Sequence, residues 1–358
     1  MYGMGRRMYK QLCDRNTQCK FPFATTGCVI QSLPQGGFTL ASKTTMHFPP
    51  LLGLFTCSFL PTVFGATWQL SHNWVGTDIL SAFQHEAIAD PTNGRVNYVS
   101  QATALSQNLT YAHGNTFIIR ADHTTVLNPN GAGRNSVRIR STATFNHHVS
   151  VFDVQHMPEG CGTWPAIWET NEATWPDGGE IDLVEGVNNQ GTNLVSLHTS
   201  AGCTMPASRA QTGAPGSLNC VAAETGNTGC NVQAANAKSF GPSFNAVGGG
   251  WWAVERSSTA IKAWFWPRDG SKPSDIASGT INTDNWGTPV ALFPNTSCDI
   301  DSHFGEENII INLSFCGDWA GSVYGSSGCP STCVDYVNNN PSAFTSAYFE
   351  FNSIRVYE

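Results

Sequence analysis

The sequence predicts an all-β protein, built as an antiparallel sandwich or barrel. Only 12% of the residues are charged and 35 are glycine, a composition typical of turn-rich β proteins. Short β-like runs are separated by Gly, Pro and Asn, whereas helical periodicity is weak throughout. Without helical crossovers the strands are expected to pair antiparallel, but these patterns do not choose between a sandwich and a barrel.

The predicted elements are one short helix and a series of strands. The best helical pattern covers Asp78–Ala87. The predicted strands include Ser136–Ser141, Val149–His156, Gly179–Val187, Leu194–His198, Trp251–Glu255, Ile261–Trp266, Asn308–Phe315 and Ala347–Tyr357. Because no repeat or linker interrupts residues 66–358, this stretch is predicted to be one domain.

One predicted strand carries three carboxylates within six residues. Glu180 and Asp182 share one face of a regular strand, and the aliphatic residues next to them share the other. Glu185 would fall on the opposite face unless a β-bulge near Val184 adds one residue. Like charges on one strand face repel one another, so the arrangement favours a functional site. The alternative is a solvated edge strand.

Glycoside hydrolysis is a reaction that needs such a group of acids. A retaining glycosidase uses two carboxyl groups about 5–5.5 Å apart, one as nucleophile and one as acid/base. Two glutamates separated by two same-face steps can approach that distance on a bound sugar. A carboxylate between them helps to keep one neighbour protonated. The pattern therefore predicts a retaining enzyme, although it does not assign the two roles.

The same stretch resembles the signature of glycoside hydrolase family 16. The likeness is carried by Glu180-Ile-Asp182-Leu-Val-Glu185 and by the preceding Gly162-Thr-Trp-Pro-Ala-Ile-Trp168. More narrowly, the sequence is similar to fungal secreted laminarinases, which are endo-1,3(4)-β-glucanases. The resemblance implies a concanavalin-like β-sandwich jelly roll with a concave substrate cleft.

The resemblance also implies a mechanism. It makes Glu180 the nucleophile, Glu185 the acid/base and Asp182 the assisting residue. The implied activity is retaining endo-hydrolysis of β-1,3-glucans and mixed-linkage β-1,3-1,4-glucans by double displacement. The alternatives are a β-glucan transglycosylase, which uses a sugar acceptor instead of water, and a non-catalytic β-glucan-binding lectin. Two residues separate Asp182 from Glu185, whereas transglycosylases of the family tend to have one, so the spacing favours hydrolysis. A non-catalytic lectin would be expected to lack one of the carboxylates.

Three tryptophans are candidates for contact with the sugar. An indole offers a flat apolar face to the C–H groups of a sugar ring and an N–H to its hydroxyls. Trp168 and Trp175 precede the acidic strand, and Trp319 lies in a Gly-rich loop where burial is less expected. Trp264 and Trp266 share one face of a strand with Phe265 on the other, and either face could be core.

Two basic residues complete the predicted site. Arg138 lies on a strand from which, by family likeness, an arginine reaches the cleft; otherwise it is an ordinary exposed arginine. His198 ends the strand that follows the acidic one. Since neighbouring strands lie about 4.8 Å apart, His198 could contact Asp182 or the nucleophile. Otherwise it is a hydrogen-bonded core residue.

The charge balance limits the possible partners. The net charge is −8, and the first 65 residues hold six Lys and Arg against one Asp, which leaves −13 for residues 66–358. An acidic domain argues against nucleic acid or an anionic membrane and fits a neutral polysaccharide such as β-glucan. No HExxH, GxSxG, P-loop or dinucleotide motif is present, so we expect no cofactor and no metal. The chain is expected to act as a monomer.

Eight of the twelve cysteines lie beyond residue 65 and are expected to form up to four disulfides. Cys220 with Cys230 and Cys329 with Cys333 are plausible local pairs, but spacing does not determine the connectivity. Zinc ligation is the alternative, although no CxxC pair is present.

The N-terminal region is expected to be removed or untranslated. Residues 46–65 have the pattern of a signal peptide, with an apolar run that is too short and too interrupted by proline for a membrane span. Residues 1–45 are interpreted as an upstream gene-model extension, and a type II membrane anchor is the alternative. The domain is therefore expected to be secreted and extracellular, without stable membrane association.

Three glycosylation sequons begin at Asn108, Asn295 and Asn312. Asn312 lies inside an apolar run, where a strand would hide it. We therefore expect Asn108 and Asn295 to be the accessible acceptors.

Overall fold

The computed structural model describes residues 67–358. The expectations of a gene-model extension at 1–45 and a signal peptide at 46–65 lie outside the described residues. Within 67–358, no helix has the length and apolar character needed to cross a bilayer.

Strands dominate the described part of the chain. They are β1 (Thr67–Trp74), β2 (Phe83–His85), β3 (Val96–Tyr98), β4 (Thr110–His113), β5 (Thr116–Arg120), β6 (Arg134–Ser136), β7 (Arg138–Ser141), β8 (His148–His156), β9 (Thr163–Thr170), β10 (Glu180–Glu185), β11 (Leu194–His198), β12 (Ala214–Pro215), β13 (Cys230–Gln233), β14 (Gly250–Arg256), β15 (Ala260–Pro267), β16 (Thr280–Asn282), β17 (Ala291–Pro294), β18 (Asn308–Phe315) and β19 (Tyr348–Tyr357). The α-helices are α1 (Asp78–Ala82), α2 (Gln101–Ser106), α3 (Ala222–Thr225), α4 (Gly241–Asn245), α5 (Ile300–His303) and α6 (Cys333–Asn339).

Two antiparallel sheets form a sandwich. The first has nine strands in the order β16-β1-β19-β8-β14-β15-β17, with β5 also pairing with β19 and β4 with β5. The second has eight strands in the order β12-β13-β11-β10-β9-β18-β7-β2. A separate parallel pair joins β3 and β6. The predicted all-β sandwich is confirmed.

The main core lies between the sheets and follows from the alternation of side chains along each strand. Ile167 and Ile311 of the eight-stranded sheet and Phe152 and Val254 of the nine-stranded sheet belong to one buried cluster. Each is at most 1% exposed. Burying a side chain of this size stabilises the fold by about 1.5–3 kcal/mol.

The outer face of the nine-stranded sheet is covered as well. Trp264 packs there in a second buried cluster, with Trp266 partly buried against it, whereas Phe265 points into the main core. Both faces of β15 are therefore core, and neither tryptophan lies on the sheet that carries the acidic strand.

The predicted strands are found with small shifts at their ends, but Ser136–Ser141 is not one continuous strand. The chain changes partner at Val137, because β6 pairs with β3 and β7 pairs with β18. The predicted helix Asp78–Ala87 is also too long. It ends at Ala82, since the next residues form β2 against β7 and bury Phe83 in the core.

The eight cysteines form the expected four disulfides. The pairs are Cys161–Cys329, Cys203–Cys298, Cys220–Cys230 and Cys316–Cys333. The local pair at residues 220 and 230 is confirmed, whereas the predicted pairing of Cys329 with Cys333 is wrong. Cys333 begins α6 and is buried beside the end of β18, where it meets its partner, while Cys329 lies in the preceding loop.

Candidate active site

A bulge in β10 aligns the three carboxylates. Against β9, Asp182 pairs with Trp168 and Val184 pairs with Ile167, so β10 has one extra residue at this point. The register against β11 shifts at the same place. Leu183 and Val184 both enter the core, with 1% and 0% exposure, and the last glutamate returns to the acidic face. The predicted bulge near Val184 is confirmed.

The strand register brings predicted site residues from four strands to one face of the sheet. Glu180 lies opposite His198 of β11, and Asp182 lies opposite Trp168 of β9. Strand β18 lies between β9 and β7, and Arg138 of β7 faces the same side. This face, which we call the cleft face, is the side of the eight-stranded sheet away from the core.

Each outer glutamate accepts a hydrogen bond from an indole. Trp175 Nε1 donates to Glu180 Oε2 at 2.7 Å, and Trp164 Nε1 donates to Glu185 Oε1 at 2.8 Å. Trp175 is 42% exposed and remains open to a ligand. Trp164 was absent from the predicted site. Its even spacing from Trp168 along β9 is the signal that places both on one face.

Burial raises the pKa of all three carboxyls. The pKa of Glu180 rises to about 8, that of Asp182 to about 7 and that of Glu185 to about 8. Desolvation is the main cause in each case, and for both glutamates the charge of Asp182 adds to it. The cluster therefore keeps protons at neutral pH, which a general acid requires.

His198 lies beside two of the carboxyls. Its Nε2 is 3.1 Å from Asp182 Oδ2 and 3.8 Å from Glu180 Oε1. The predicted contact of His198 with the acidic strand is thus present. Its charge, together with the indole of Trp175, lowers the pKa of Glu180 and so favours the ionised form that a nucleophile needs.

Arg138 lies on the cleft face but is buried there, with only 3% of its surface exposed. Its guanidinium forms ion pairs with Glu86, at 2.8 Å, and with Glu172. Its Cζ also lies 5.0 Å from the ring centre of Trp168, within cation–π range. Arg138 therefore supports the tryptophan, and the two glutamates that hold it were not predicted from the sequence.

The strand does hide the sequon residue Asn312, which is 8% exposed. Its Oδ1 accepts a hydrogen bond from Trp168 Nε1 at 2.7 Å, and its Nδ2 donates to the hydroxyl of Tyr98 at 3.1 Å. Asn312 thus fixes the rim of the Trp168 ring. Asn108 and Asn295 are exposed, and their glycosylation stays a prediction.

Trp319 borders a cavity beside the last glutamate. Its ring packs edge-on against that of Trp164, with ring centres 5.8 Å apart. The cavity has a volume of about 320 Å³ and reaches Glu185. Hydrogen-bonding side chains suited to sugar hydroxyls also line it: Gln190, Thr192, Gln233, Ser326 and Ser327.

Among residues 67–358, one group has the spacing of metal ligands. His198 and the carboxylates of Glu180 and Asp182 each offer an atom within 4.8 Å of the others. His198 already pairs with Asp182, and the same carboxyls are the candidates for acid-base chemistry. We therefore assign no metal to this group.

Comparison with known families shows the family to which the chain belongs. Residues 83–357 match the family model described as "XgeA-like, catalytic GH16 domain". The chain belongs to glycoside hydrolase family 16. Among solved structures, it is 65% identical to laminarinase 16A from Phanerochaete chrysosporium with β-glucans (6-O-glucosyl-laminaritriose) in its donor and acceptor sites. That match covers 82% of this chain and 100% of the other, with a TM-score of 0.81.

Two further relatives differ in what they are named for. The chain is 40% identical to a solved elongating family 16 β-1,3-glucosyltransferase, over 81% of this chain and 100% of that one, with a TM-score of 0.77. It is 43% identical to a probable endo-1,3(4)-beta-glucanase from Aspergillus fumigatus, over 82% of this chain and 46% of the relative. The chain thus spans about half the length of that relative. The jelly-roll fold implied by the resemblance is confirmed.

Proposed function

We propose that this domain is a retaining endo-glucanase that hydrolyses β-1,3-glucans and mixed-linkage β-1,3-1,4-glucans. The observation that carries the proposal is the row of three carboxyls on the cleft face, whose outer two each accept a hydrogen bond from an indole N–H. The likeness to a glucan-bound laminarinase supports the choice of substrate.

In the first step, Glu180 attacks the anomeric carbon while Glu185 donates its proton to the leaving oxygen. Both pKa values are raised alike and each carboxyl accepts an indole hydrogen bond, so the two roles are assigned from the family resemblance. His198 lies 3.8 Å from Glu180 and favours its anion. In the second step, Glu185 accepts a proton from water, which attacks the glycosyl-enzyme and releases a product of retained configuration.

Asp182 assists both steps from the middle of the row. Its negative charge raises the pKa of Glu185 and so helps to keep the acid protonated before the leaving group departs. His198 Nε2 lies 3.1 Å from Asp182 Oδ2.

The cleft face also supplies the sugar contacts. We place sugar rings against Trp168, Trp175 and Trp319, of which Trp175 is the most exposed. His198 lies at the point of cleavage, and Arg138 acts from beneath Trp168. We further propose that the domain acts outside the cell, as a monomer and without a cofactor. Four disulfides are consistent with an oxidising compartment.

A β-glucan transglycosylase is the second candidate, favoured by the 40% identical glucosyltransferase. It would use the same carboxyls, with a sugar hydroxyl in place of water. A lectin fits the site less well, since all three carboxyls are retained on the acidic strand.

Product analysis on laminarin and on mixed-linkage glucan tests the proposal. The chain from Ala66 should release short oligosaccharides, and Glu180→Ser should release none. NMR of the first product should show the β-anomer. Products longer than a supplied oligosaccharide would indicate transglycosylation. Binding without release, unchanged by the substitution, would indicate a lectin.

A further inference from the structure

A buried arginine–glutamate pair lies on the core side of the eight-stranded sheet. Arg256, at the end of β14, is 0% exposed, and Glu307, just before β18, is 1% exposed. Arg256 Nη1 lies 2.9 Å from Glu307 Oε2. Removing two charged groups from water is costly, and neither group takes part in the chemistry proposed above.

Arg256 holds the segment that runs from Gly305 to Glu307. Its guanidinium donates to the Gly305 carbonyl at 2.8 Å and also to the Phe145 carbonyl. The backbone of Phe145 in turn exchanges two hydrogen bonds with that of Glu307, at 2.8 and 2.9 Å. One guanidinium thus secures the segment directly and through its neighbouring chain.

This segment supports the turn that leads into β10. The Gly305 N–H donates to the Gly178 carbonyl at 3.0 Å. Gly179 has φ +83°, and a Cβ there would lie 2.9 Å from Glu307 Oε1 and 2.7 Å from the His303 carbonyl oxygen. The carboxyl of Glu307 therefore lies against the backbone of the residue just before the nucleophile.

The supported turn carries two parts of the site. It ends the loop of residues 171–179, which bears Trp175, and it leads directly into Glu180. From the β9 side, Thr170 Oγ1 donates to the Gly179 carbonyl at 2.6 Å. The turn is thus held by β9 on one side and by the 305–307 segment on the other.

We propose that Arg256 and Glu307 are positioning residues for the nucleophile. They hold the Gly178–Gly179 turn from the core side, so that Glu180 stays in place with its Oε2 within reach of Trp175. This inference rests on the proposed function, because it concerns the placement of the nucleophile in that reaction.

The surroundings of Glu307 indicate that its shape matters more than its charge. Burial raises the pKa of Glu307 well above its usual range, and the negative charge of Glu169 adds to this, although Arg256 opposes it. Burial therefore favours the neutral form of Glu307, whose shape glutamine can reproduce. The charged and titratable groups around it are Arg256 on β14, Glu169 on β9 with its partner His148 on β8, and Glu180 and Asp182 on β10.

Two substitutions separate shape from charge. Glu307→Gln keeps the length of the side chain, whereas Glu307→Asp withdraws the carboxyl from Gly179. The matched controls are Glu255→Gln and Glu255→Asp. Glu255 is also 1% exposed, immediately precedes Arg256, and pairs with Lys262 at 3.0 Å. Thermal unfolding of each variant ensures that assays are run on folded protein.

Kinetics are measured on laminarin and on an aryl β-laminaribioside whose leaving group needs no proton. Glu307→Asp is expected to lower kcat about ten- to a hundredfold on both substrates with little change in KM, because small misplacements of a reacting group are costly. Glu307→Gln is expected to stay within about threefold of wild type, with the acidic limb of its pH profile unmoved. Both Glu255 variants should match the wild type.

Several results would overturn the inference. One is a wild-type kcat for folded Glu307→Asp, and another is a loss of kcat in that variant on laminarin alone. A third is a shift of more than about half a pH unit in the acidic limb of the Glu307→Gln pH profile. If Glu307→Asp does not fold, Arg256→Lys takes its place, because lysine keeps the positive charge but loses the hydrogen bond to the Gly305 carbonyl. A wild-type kcat for Arg256→Lys would overturn the inference. Inactivity of the wild-type chain on both substrates would overturn the proposed function and this inference together.

Discussion

Replacing Glu180 by glutamine is expected to abolish activity and to stabilise the fold at alkaline pH. Burial raises the pKa of Glu180 from its ordinary 4.5 to about 8, so the folded protein binds this proton more tightly than the unfolded chain does. Stability linked to a raised carboxyl pKa is fully present below about pH 4.5 and is lost as the pH rises through 8. Glutamine carries no charge at any of these pH values and removes the loss.

The size of the effect follows from the pKa. A rise from 4.5 to about 8 corresponds to about 5 kcal/mol for an isolated group, at about 1.36 kcal/mol per pH unit. The charges of Asp182 and Glu185 also raise the pKa of Glu180. Because these groups titrate together, removing the Glu180 carboxylate recovers only part of this free energy. We expect a gain of about 2–3 kcal/mol at pH 8.5, which is roughly 4 °C in Tm for a domain of this length.

The assay compares Tm at pH 4 and pH 8.5 for three proteins. The wild type and Glu180→Gln should unfold at similar temperatures at pH 4, where both side chains are neutral. At pH 8.5 the variant should unfold about 4 °C higher. The exposed Glu224 provides the control, and Glu224→Gln should follow the wild type at both pH values. An equal difference at both pH values, or a less stable Glu180→Gln at pH 8.5, would refute the reasoning.

Two further predictions follow from single contacts. Trp175→Phe keeps the ring but loses the N–H that stabilises the Glu180 anion, so kcat/KM should fall about tenfold and the acidic limb of the pH profile should move to higher pH; an unmoved limb would contradict this. Replacing Cys161 and Cys329 by serine opens a bridge with a sequence separation of 168 and should cost about 5 kcal/mol in urea unfolding, against about 3 kcal/mol for the bridge with a separation of 10. Equal losses of stability for the two bridges would show that loop entropy does not determine how much each disulfide contributes.

The strand positions and the acidic row could be predicted from the sequence because both depend on how side chains alternate between the two faces of a strand. Alternation of apolar residues marks a strand wherever one face is core. The bulge in β10 could be inferred as well, since Glu185 joins Asp182 on one face only if β10 gains a residue. Strand register then placed His198 beside the row, as predicted from the spacing of neighbouring strands.

Contacts between distant segments were harder to predict. The ion pairs of Arg138 with Glu86 and Glu172 join strands and loops that no local pattern connects. Short sequence separation was also misleading for Cys329 and Cys333, because Cys333 begins α6 and bonds to Cys316, whereas Cys329 bonds to Cys161. Such pairings depend on the folded path of the chain, which local spacing does not describe.

The position of β19 has a consequence for biosynthesis. This strand, the last in sequence order among residues 67–358, lies inside the nine-stranded sheet between β8 and β1, the first described strand, and it also pairs with β5. The sheet therefore cannot close while β19 is still within the ribosome. Until then the strands that pair with β19 lack this partner, and unpaired strand edges with exposed apolar surface favour aggregation.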